Sequence, residues 1–419
     1  MGNLINQLNQ AIITLGGKGT RLKEVTQGIP KPLWEIEGLN TLERSIKELS
    51  KNGINNFIWL TNYKNNLFTN EAKRLSGIYK VEIYIHRELT PKGEAGSLLD
   101  LLDKIDDEFI FLNGDIIFNM DIKRMYEFHI RNNSKLTFVT HLSTHPEDSD
   151  CIIENLNLSI YKFKFKNESI NTSGFYLGNA GLSIISKSVI ELVKKNFGFK
   201  KEIYSLFKDF IIYAHKNRIN VFSYNTTEYL KDMGTPKRLL EVTNDIKLGI
   251  VKKYSYLYPQ KALFLDRDNT LNKCLEGEYI LNIEQINLFE NRIKKLVQLS
   301  YEYGNVILVT NQPQIAMGKV SWQKVIEING EIINRCRKLG LYISCFYICP
   351  HHNHLGFEGE IKSLKTACFC RKPLPGLFLE ASFNRNIDFK SSLMVGDSWR
   401  DKKAAESLQM KFRDIKLFD

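Results

Sequence analysis

Seven cysteines in 419 residues, without any obvious pairing among Cys151, Cys274, Cys336 and Cys345, are too few and too scattered for a disulfide framework. That excludes a disulfide-stapled secreted scaffold and makes a reducing cytoplasm the expected setting. Long apolar runs are also missing: Phe109-Ile110-Phe111-Leu112 and Phe210-Ile211-Ile212-Tyr213 fall far short of the roughly 20 residues a membrane span needs. Met1-Gly2-Asn3-Leu4-Ile5-Asn6 has neither the basic start nor the apolar core of a signal peptide, and Asn6 breaks the myristoylation pattern, so no membrane partner is expected. The formal charge is +11, yet the lysines come as dispersed pairs such as Lys194-Lys195, Lys252-Lys253 and Lys402-Lys403. Without a basic run or an aromatic-interleaved stripe, nucleic acid is not an expected partner, and the excess charge suits solubility and anionic substrates. Internal repeats and low-complexity segments are absent as well.

What remains is a globular composition, 43% hydrophobic and 25% charged, in a chain too long for one ordinary domain. Short apolar runs alternate with longer amphipathic stretches throughout, the pattern of α/β sheets. The most informative run is Ala262-Leu263-Phe264-Leu265, followed at once by Asp266-Arg267-Asp268-Asn269-Thr270. A carboxylate at the end of a buried strand can attack phosphorus, and a second one two residues on can handle the leaving-group proton. Three further pieces follow in order: Val306-Ile307-Leu308-Val309-Thr310-Asn311, a strand ending in phosphate-holding groups; Arg371-Lys372-Pro373, a cation; and Leu393-Met394-Val395-Gly396-Asp397, with Asp401 about one helical turn later. Together they supply nucleophile, acid/base, phosphate cradle and Mg²⁺ seat where an open α/β sheet places its sites. This order of motifs resembles the haloacid dehalogenase superfamily of phosphatases.

Cys349-Pro350-His351, followed after 16 intervening residues by Cys368-Phe369-Cys370, offers three thiolates and one imidazole, the closed set of a structural Zn²⁺. His352 and His354 are rival imidazoles. The cysteine and histidine pattern leading into Arg371-Lys372-Pro373-Leu374-Pro375-Gly376 is similar to the zinc-containing phosphatases of heptose 1,7-bisphosphate, and to their relatives acting on histidinol phosphate. The segment after Asn311-Gln312, running Pro313 to Gly318, departs from the small-residue turn and arginine usual in the heptose branch, and the loop from His351 to Cys368 is longer than usual. The resemblance implies Asp266 as nucleophile, Asp268 as general acid/base, and Thr310 and Lys372 as phosphate ligands. Mg²⁺ would be held by Asp266, Asp397 and the Asp268 backbone carbonyl.

The first half has chemistry of its own. Ala11-Ile12-Ile13-Thr14-Leu15 reads as a strand, and Gly16, Gly17, Gly19, Thr20 and Arg21 belong to a glycine-rich turn that lets backbone N–H groups approach phosphates. Pro30-Lys31-Pro32 then presents a lysine between rigid neighbours. The joint pattern resembles the sugar-1-phosphate nucleotidyltransferases. That resemblance implies Arg21 and Lys31 as charge-offsetting cations, Asn179 as a sugar contact, and Asp115 and Asp232 as Mg²⁺ ligands. Leu15 and Glu94 depart from the family's usual alanine and threonine.

The expected architecture is therefore two doubly wound α/β domains: residues 1–246, a Rossmann-like nucleotidyltransferase fold; 247–260, a linker rich in tyrosine; and 261–419, a haloacid dehalogenase-like fold with a zinc loop. The expected function is bifunctional, removing the 7-phosphate of a heptose 1,7-bisphosphate and joining the 1-phosphate to a nucleotide, with sugar phosphates and a nucleoside triphosphate as partners. The alternative is a histidinol-phosphate-type or other sugar phosphatase carrying a non-catalytic nucleotide-binding domain.

Overall fold

The computed structural model describes residues 8–17, 28–143, 146–154, 159–166, 168, 174–197, 201–275 and 277–419. Gly19, Thr20 and Arg21 lie outside the described residues.

Strand Ala262–Leu265 is buried at all four positions because it runs through the middle of a five-stranded parallel sheet. The order across that sheet is Cys345–Cys349, Asn305–Asn311, Ala262–Leu265, Leu393–Gly396 and Lys411–Asp414. Successive side chains of a strand point to opposite faces, and here both faces are apolar. Leu263, Leu265, Val306 and Leu308 pack with Ile293 and Leu296 of helix Glu290–Ser300 and with Ile328 and Ile332 of helix Trp322–Lys338. Ala262, Phe264, Ile307 and Val309 meet Phe378 and Ala381 of helix Gly376–Arg385 and Ala404 of helix Trp399–Ser407 on the other face. Burial on both sides explains why these strands read as unbroken hydrophobic runs. It also leaves the polar residues that follow each strand gathered at one edge.

In the first domain, strands Glu108–Asn113, Gln10–Thr14, Asn56–Thr61 and Glu82–Arg87 are parallel neighbours. Helix Thr41–Lys51 covers them with Leu42, Ile46 and Leu49, which share one helical face, and its first turn is capped by the Asn40 side chain accepting from the Glu43 N–H. The two-domain α/β architecture is thus present, and the first sheet is mixed beyond its parallel half. Strand Leu177–Ser186 runs antiparallel to both Glu108–Asn113 and Leu136–Leu142, completing a nine-stranded sheet among the described residues. The short ribbon of Ile116–Asn119 with Tyr229–Asp232 stands apart from it.

The stretch 247–260 contains helix Ile250–Lys253 and a Tyr256 that is almost wholly buried. The Tyr256 hydroxyl accepts from the Thr227 N–H at 3.0 Å in the first domain and from Arg385 Nη1 at 2.8 Å in the second. Further contacts cross the same boundary: Thr227 Oγ1 donates to Asn305 Oδ1 at 2.6 Å, and the rings of Phe175 and Phe346 meet edge-on at 5.5 Å. The Tyr256 hydroxyl, with a partner on each side, ties the two domains together at this seam.

Candidate active sites

At the sheet edge, Lys372 Nζ donates to Asp266 Oδ1 at 2.8 Å, to Asp401 Oδ1 at 2.6 Å and to the Val309 carbonyl at 2.9 Å. All three of its donors are spent on groups that surround the end of the central strand. Burial would lower the Lys372 ammonium, but Asp266 and Asp401 outweigh it and hold the pKa above its usual value. Burial pushes the Asp266 carboxyl up to about 7, with Lys372 opposing the shift and Asp401 adding to it. Asp397 is raised as well, first by burial and then by Asp401. One oxygen each from Asp266, Asp397 and Asp401 lie within 4.8 Å of one another. Three carboxylates with one buried ammonium leave negative charge over, and a divalent cation among them would favour their ionised forms.

Asp268 is held by a separate set of partners. Its carboxylate accepts from Arg267 Nε at 2.9 Å, from Arg267 Nη2 at 2.8 Å and from Gln312 Nε2 at 3.0 Å. Gln312 also donates to Thr310 Oγ1 at 2.9 Å, and its own oxygen accepts from Gln314 Nε2 at 2.5 Å. Thr310 and Gln312 are buried, so this amide chain locks the turn after strand Asn305–Asn311 beside the two aspartates. Asn311 Oδ1 accepts from the Lys372 N–H at 3.0 Å and Asn311 Nδ2 donates to the Lys372 carbonyl at 3.0 Å, which clamps the lysine's backbone.

The sequence-predicted sulfur and nitrogen ligands also converge. Cys349 Sγ lies 3.6 Å from Cys368 Sγ and 3.7 Å from His351 Nδ1, and His351 Nδ1 lies 3.2 Å from Cys370 Sγ. Zn–S bonds of about 2.3 Å set tetrahedrally imply S···S edges of about 3.8 Å, so the donor set fits that ion. The Cys370 thiol is pushed up by its hydrogen bond with Cys349 and by burial, while burial lowers His351 and favours the neutral, ligating imidazole. Thiols crowded in this way ionise readily only with a cation among them. His352 and His354 stand outside the cluster, and His352 Nδ1 faces Lys365 Nζ at 3.4 Å. Arg371 Nη1 donates to the His351 carbonyl at 3.1 Å, so it braces this loop rather than the phosphoryl site. The unusual segment after Gln312 lies packed beneath it: Ile315 and Ala316 are buried, and the Ala316 carbonyl accepts from the Ile361 N–H at 3.0 Å.

In the first domain, Asp115 follows strand Glu108–Asn113 directly, and Gly114 makes the turn possible. A Cβ on Gly114 would fall 2.4 Å from the Thr14 carbonyl oxygen, a contact no side chain tolerates. Lys31 Nζ lies 3.5 Å from Asp115 Oδ2. Asp115 is raised by burial, opposed by Lys31 and reinforced by Asp232, so the two predicted metal aspartates share one region. Asp232 is paired with Arg238 Nη1 at 2.7 Å and caps the Gly234 N–H at 2.7 Å. Asn179 Oδ1 accepts from the Gly181 N–H at 3.0 Å, shaping the start of strand Leu177–Ser186. At Gly16 a Cβ would sit 3.4 Å from Glu88 Oε2, while one at Gly17 would meet nothing within 4 Å among the described residues. Glu94 is turned inward, where burial raises it, and its carboxylate bonds Asn113 and accepts from the Leu206 N–H at 3.2 Å.

Comparison with known proteins places each half of the chain among relatives. The profile of the nucleotidyl transferase family matches residues 10–248. The chain belongs to that family. The nucleotidyl transferase domain is 28% identical over 238 residues to a mannose-1-phosphate guanyltransferase of Debaryomyces hansenii, covering 56% of this chain and 63% of that relative. The C-terminal half is 36% identical over 152 residues to a D-glycero-beta-D-manno-heptose-1,7-bisphosphate 7-phosphatase of Pasteurella multocida, covering 36% of this chain and 79% of that relative, and it belongs with those phosphatases. Among solved structures, HddC from Yersinia pseudotuberculosis aligns with 22% identity over 57% of this chain and all 100% of its own, at a TM-score of 0.47. The protein is thus a fusion of a nucleotidyl transferase with a phosphatase, and an enzyme. Among the described residues no helix is long and apolar enough to cross a membrane.

Two side chains of the candidate phosphatase site were given no role from the sequence. Asp401 was noted without a role, yet it is fully buried, bonds Lys372 and caps helix Trp399–Ser407 in a reciprocal box with Ser398. The spacing Ser398-Trp399-Arg400-Asp401 is the local signal that could have placed it. Gln312 carried no comparable signal, because the Asp268 carboxylate it bonds lies 44 positions away.

Proposed function

We propose that this enzyme performs two consecutive steps: hydrolysis of the 7-phosphate of D-glycero-D-manno-heptose 1,7-bisphosphate, then guanylyl transfer from GTP to the remaining sugar 1-phosphate. The observation that carries the first step is the ion cluster of Asp266, Lys372 and Asp401 at the end of the central parallel strand. An Asp266 oxygen attacks phosphorus while Lys372 offsets the charge gathering on the phosphoryl oxygens. Asp268 gives its proton to the departing sugar oxygen and then takes one from the water that cleaves the aspartyl phosphate. Asp266, Asp397 and the Asp268 carbonyl would hold Mg²⁺, which supplies further charge neutralisation to the phosphoryl group. Cys349, His351, Cys368 and Cys370 would hold Zn²⁺ as a structural ion that fixes the loop bordering the site.

In the second step the sugar-phosphate oxygen displaces pyrophosphate from the nucleotide α-phosphorus, with Lys31 and Arg21 offsetting charge and Asn179 contacting the sugar. Asp115 and Asp232 would seat Mg²⁺ there. Similarity to guanyltransferases and heptose phosphatases supports the choice of base and sugar, and a chain of unpaired cysteines suits the cytoplasm. Incubating the full chain with the bisphosphate and each of GTP, ATP, CTP and UTP, followed by mass analysis, tests both halves. A GDP-sugar should form, Asp266→Asn should stop phosphate release, and Asp115→Ala should stop only the nucleotide transfer. Hydrolysis of histidinol phosphate with no action on heptose bisphosphate would overturn the reading.

A further inference from the structure

Arg267 stands between the two carboxylates of the phosphatase motif, its side chain is wholly buried, and its hydrogen bonds go to Asp268 and Asn329. Two edges of its guanidinium are occupied. Nε and Nη2 grip both oxygens of Asp268 at 2.9 and 2.8 Å, and Nη1 donates to Asn329 Oδ1 at 3.0 Å. A guanidinium is planar, so anchoring one edge on Asn329 fixes the plane in which the other edge holds Asp268. Asn329 is itself fully buried on helix Trp322–Lys338.

The next residue on that helix touches the other domain. Gly330 lies so close to the nucleotidyl transferase domain that a Cβ there would sit 2.6 Å from both the Gly174 carbonyl carbon and the Phe175 nitrogen. Backbone packs on backbone at this point, and no flexible side chain can absorb a shift. Phe175 secures the contact against Phe346, and the same segment leads into strand Leu177–Ser186, which carries Asn179.

We infer that Arg267 and Asn329 are positioning residues for Asp268, and that the nucleotidyl transferase domain, seated on Gly330, holds them in place. This inference rests on the proposed role of Asp268 as proton donor to the leaving group. A donor displaced by a fraction of an ångström loses its effect on a poor leaving group, whereas a leaving group that departs as a stable anion does not need it.

The test compares kcat/KM of the full chain for heptose bisphosphate, whose leaving group is a sugar alkoxide, with that for 4-nitrophenyl phosphate. Asn329→Leu and Gly330→Ala should each lower the sugar value by about 10-fold or more, a part of what a general acid contributes, and leave the aryl ester nearly unchanged. Asn329→Asp, which keeps an acceptor for Arg267, should retain the wild-type ratio. Equal losses on both esters, or none on either, would overturn the inference. Asp266→Asn separates the two levels of argument: if it still releases phosphate, the phosphatase mechanism itself fails; if it is inactive while the ester ratio stays fixed in Asn329→Leu and Gly330→Ala, only the positioning role fails.

Discussion

Replacing Lys372 by methionine would keep the chain's bulk and remove the one cation shared by Asp266 and Asp401. Its ammonium sits 2.8 and 2.6 Å from these carboxylates and is 3% exposed. Breaking a buried pair by deleting one partner typically costs about 3–5 kcal/mol, against a total stability of about 5–15 kcal/mol for an ordinary domain. The variant should therefore fold but unfold at markedly lower urea concentration. The deficit should depend on pH. The Asp266 carboxyl stands at about 7 in the folded chain, above its ordinary 3.8, so the folded state binds more protons than the unfolded one across that window. Stability from such a group is present at the acid end and is lost as pH rises, by about 1.4 kcal/mol per pH unit for one fully titrating group. Without Lys372 the carboxyl rises further, the window widens, and the deficit at pH 8 should exceed that at pH 5. Mg²⁺ should restore part of the loss at pH 8, because it neutralises the same carboxylates. The assay is a set of urea titrations of wild type and Lys372→Met at both pH values, in chelator and in Mg²⁺. A wild-type midpoint at pH 8 in chelator, or a larger deficit at pH 5, would refute the electrostatic account.

Other outcomes follow from the same geometry. Metal analysis of the purified chain should find one zinc per chain, and Cys368→Ser should lose it together with several degrees of thermal stability, since a structural zinc contributes folding energy directly. Gly114→Ala, whose Cβ would strike the Thr14 carbonyl oxygen at 2.4 Å, should abolish pyrophosphate release while 4-nitrophenyl phosphate hydrolysis continues. Gln312→Leu leaves Asp268 with Arg267 alone and frees the Thr310 hydroxyl, and kcat for phosphate release should fall about 10-fold with little change in KM. Arg385→Met removes the 2.8 Å bond to the Tyr256 hydroxyl at the seam between domains, and limited proteolysis should then cut within 247–260 sooner than in wild type.

The resemblance of each half to its family was visible because the signals are local. A buried parallel strand must be an unbroken apolar run, and the first polar residue after it must lie at the sheet edge, so Asp266, Asp397 and Asp115 declared themselves one strand at a time. The spacing of Cys349, His351, Cys368 and Cys370 did the same for the sulfur-rich site, while the choice among three neighbouring histidines waited for the structure. Lys372 was identified as a cation, but its partner Asp266 lies 106 positions away, and only the packed sheet shows that it bridges two carboxylates. The antiparallel strands of the first domain were hidden for a similar reason, since a buried strand has the same apolar pattern whichever way its neighbour runs.

Sequence alone therefore determined which residues could carry the chemistry, because strand burial, ligand type and turn composition are properties of a few consecutive side chains. Tertiary structure decided how those residues are held: Asp401 under Lys372, Gln312 and Arg267 around Asp268, Tyr256 in the seam, and Gly330 against Gly174. Apart from the Arg267–Asp268 pair of adjacent residues, each of these contacts joins elements brought together by burial of apolar faces. Its strength comes from leaving water, and that condition exists only once the domains have packed.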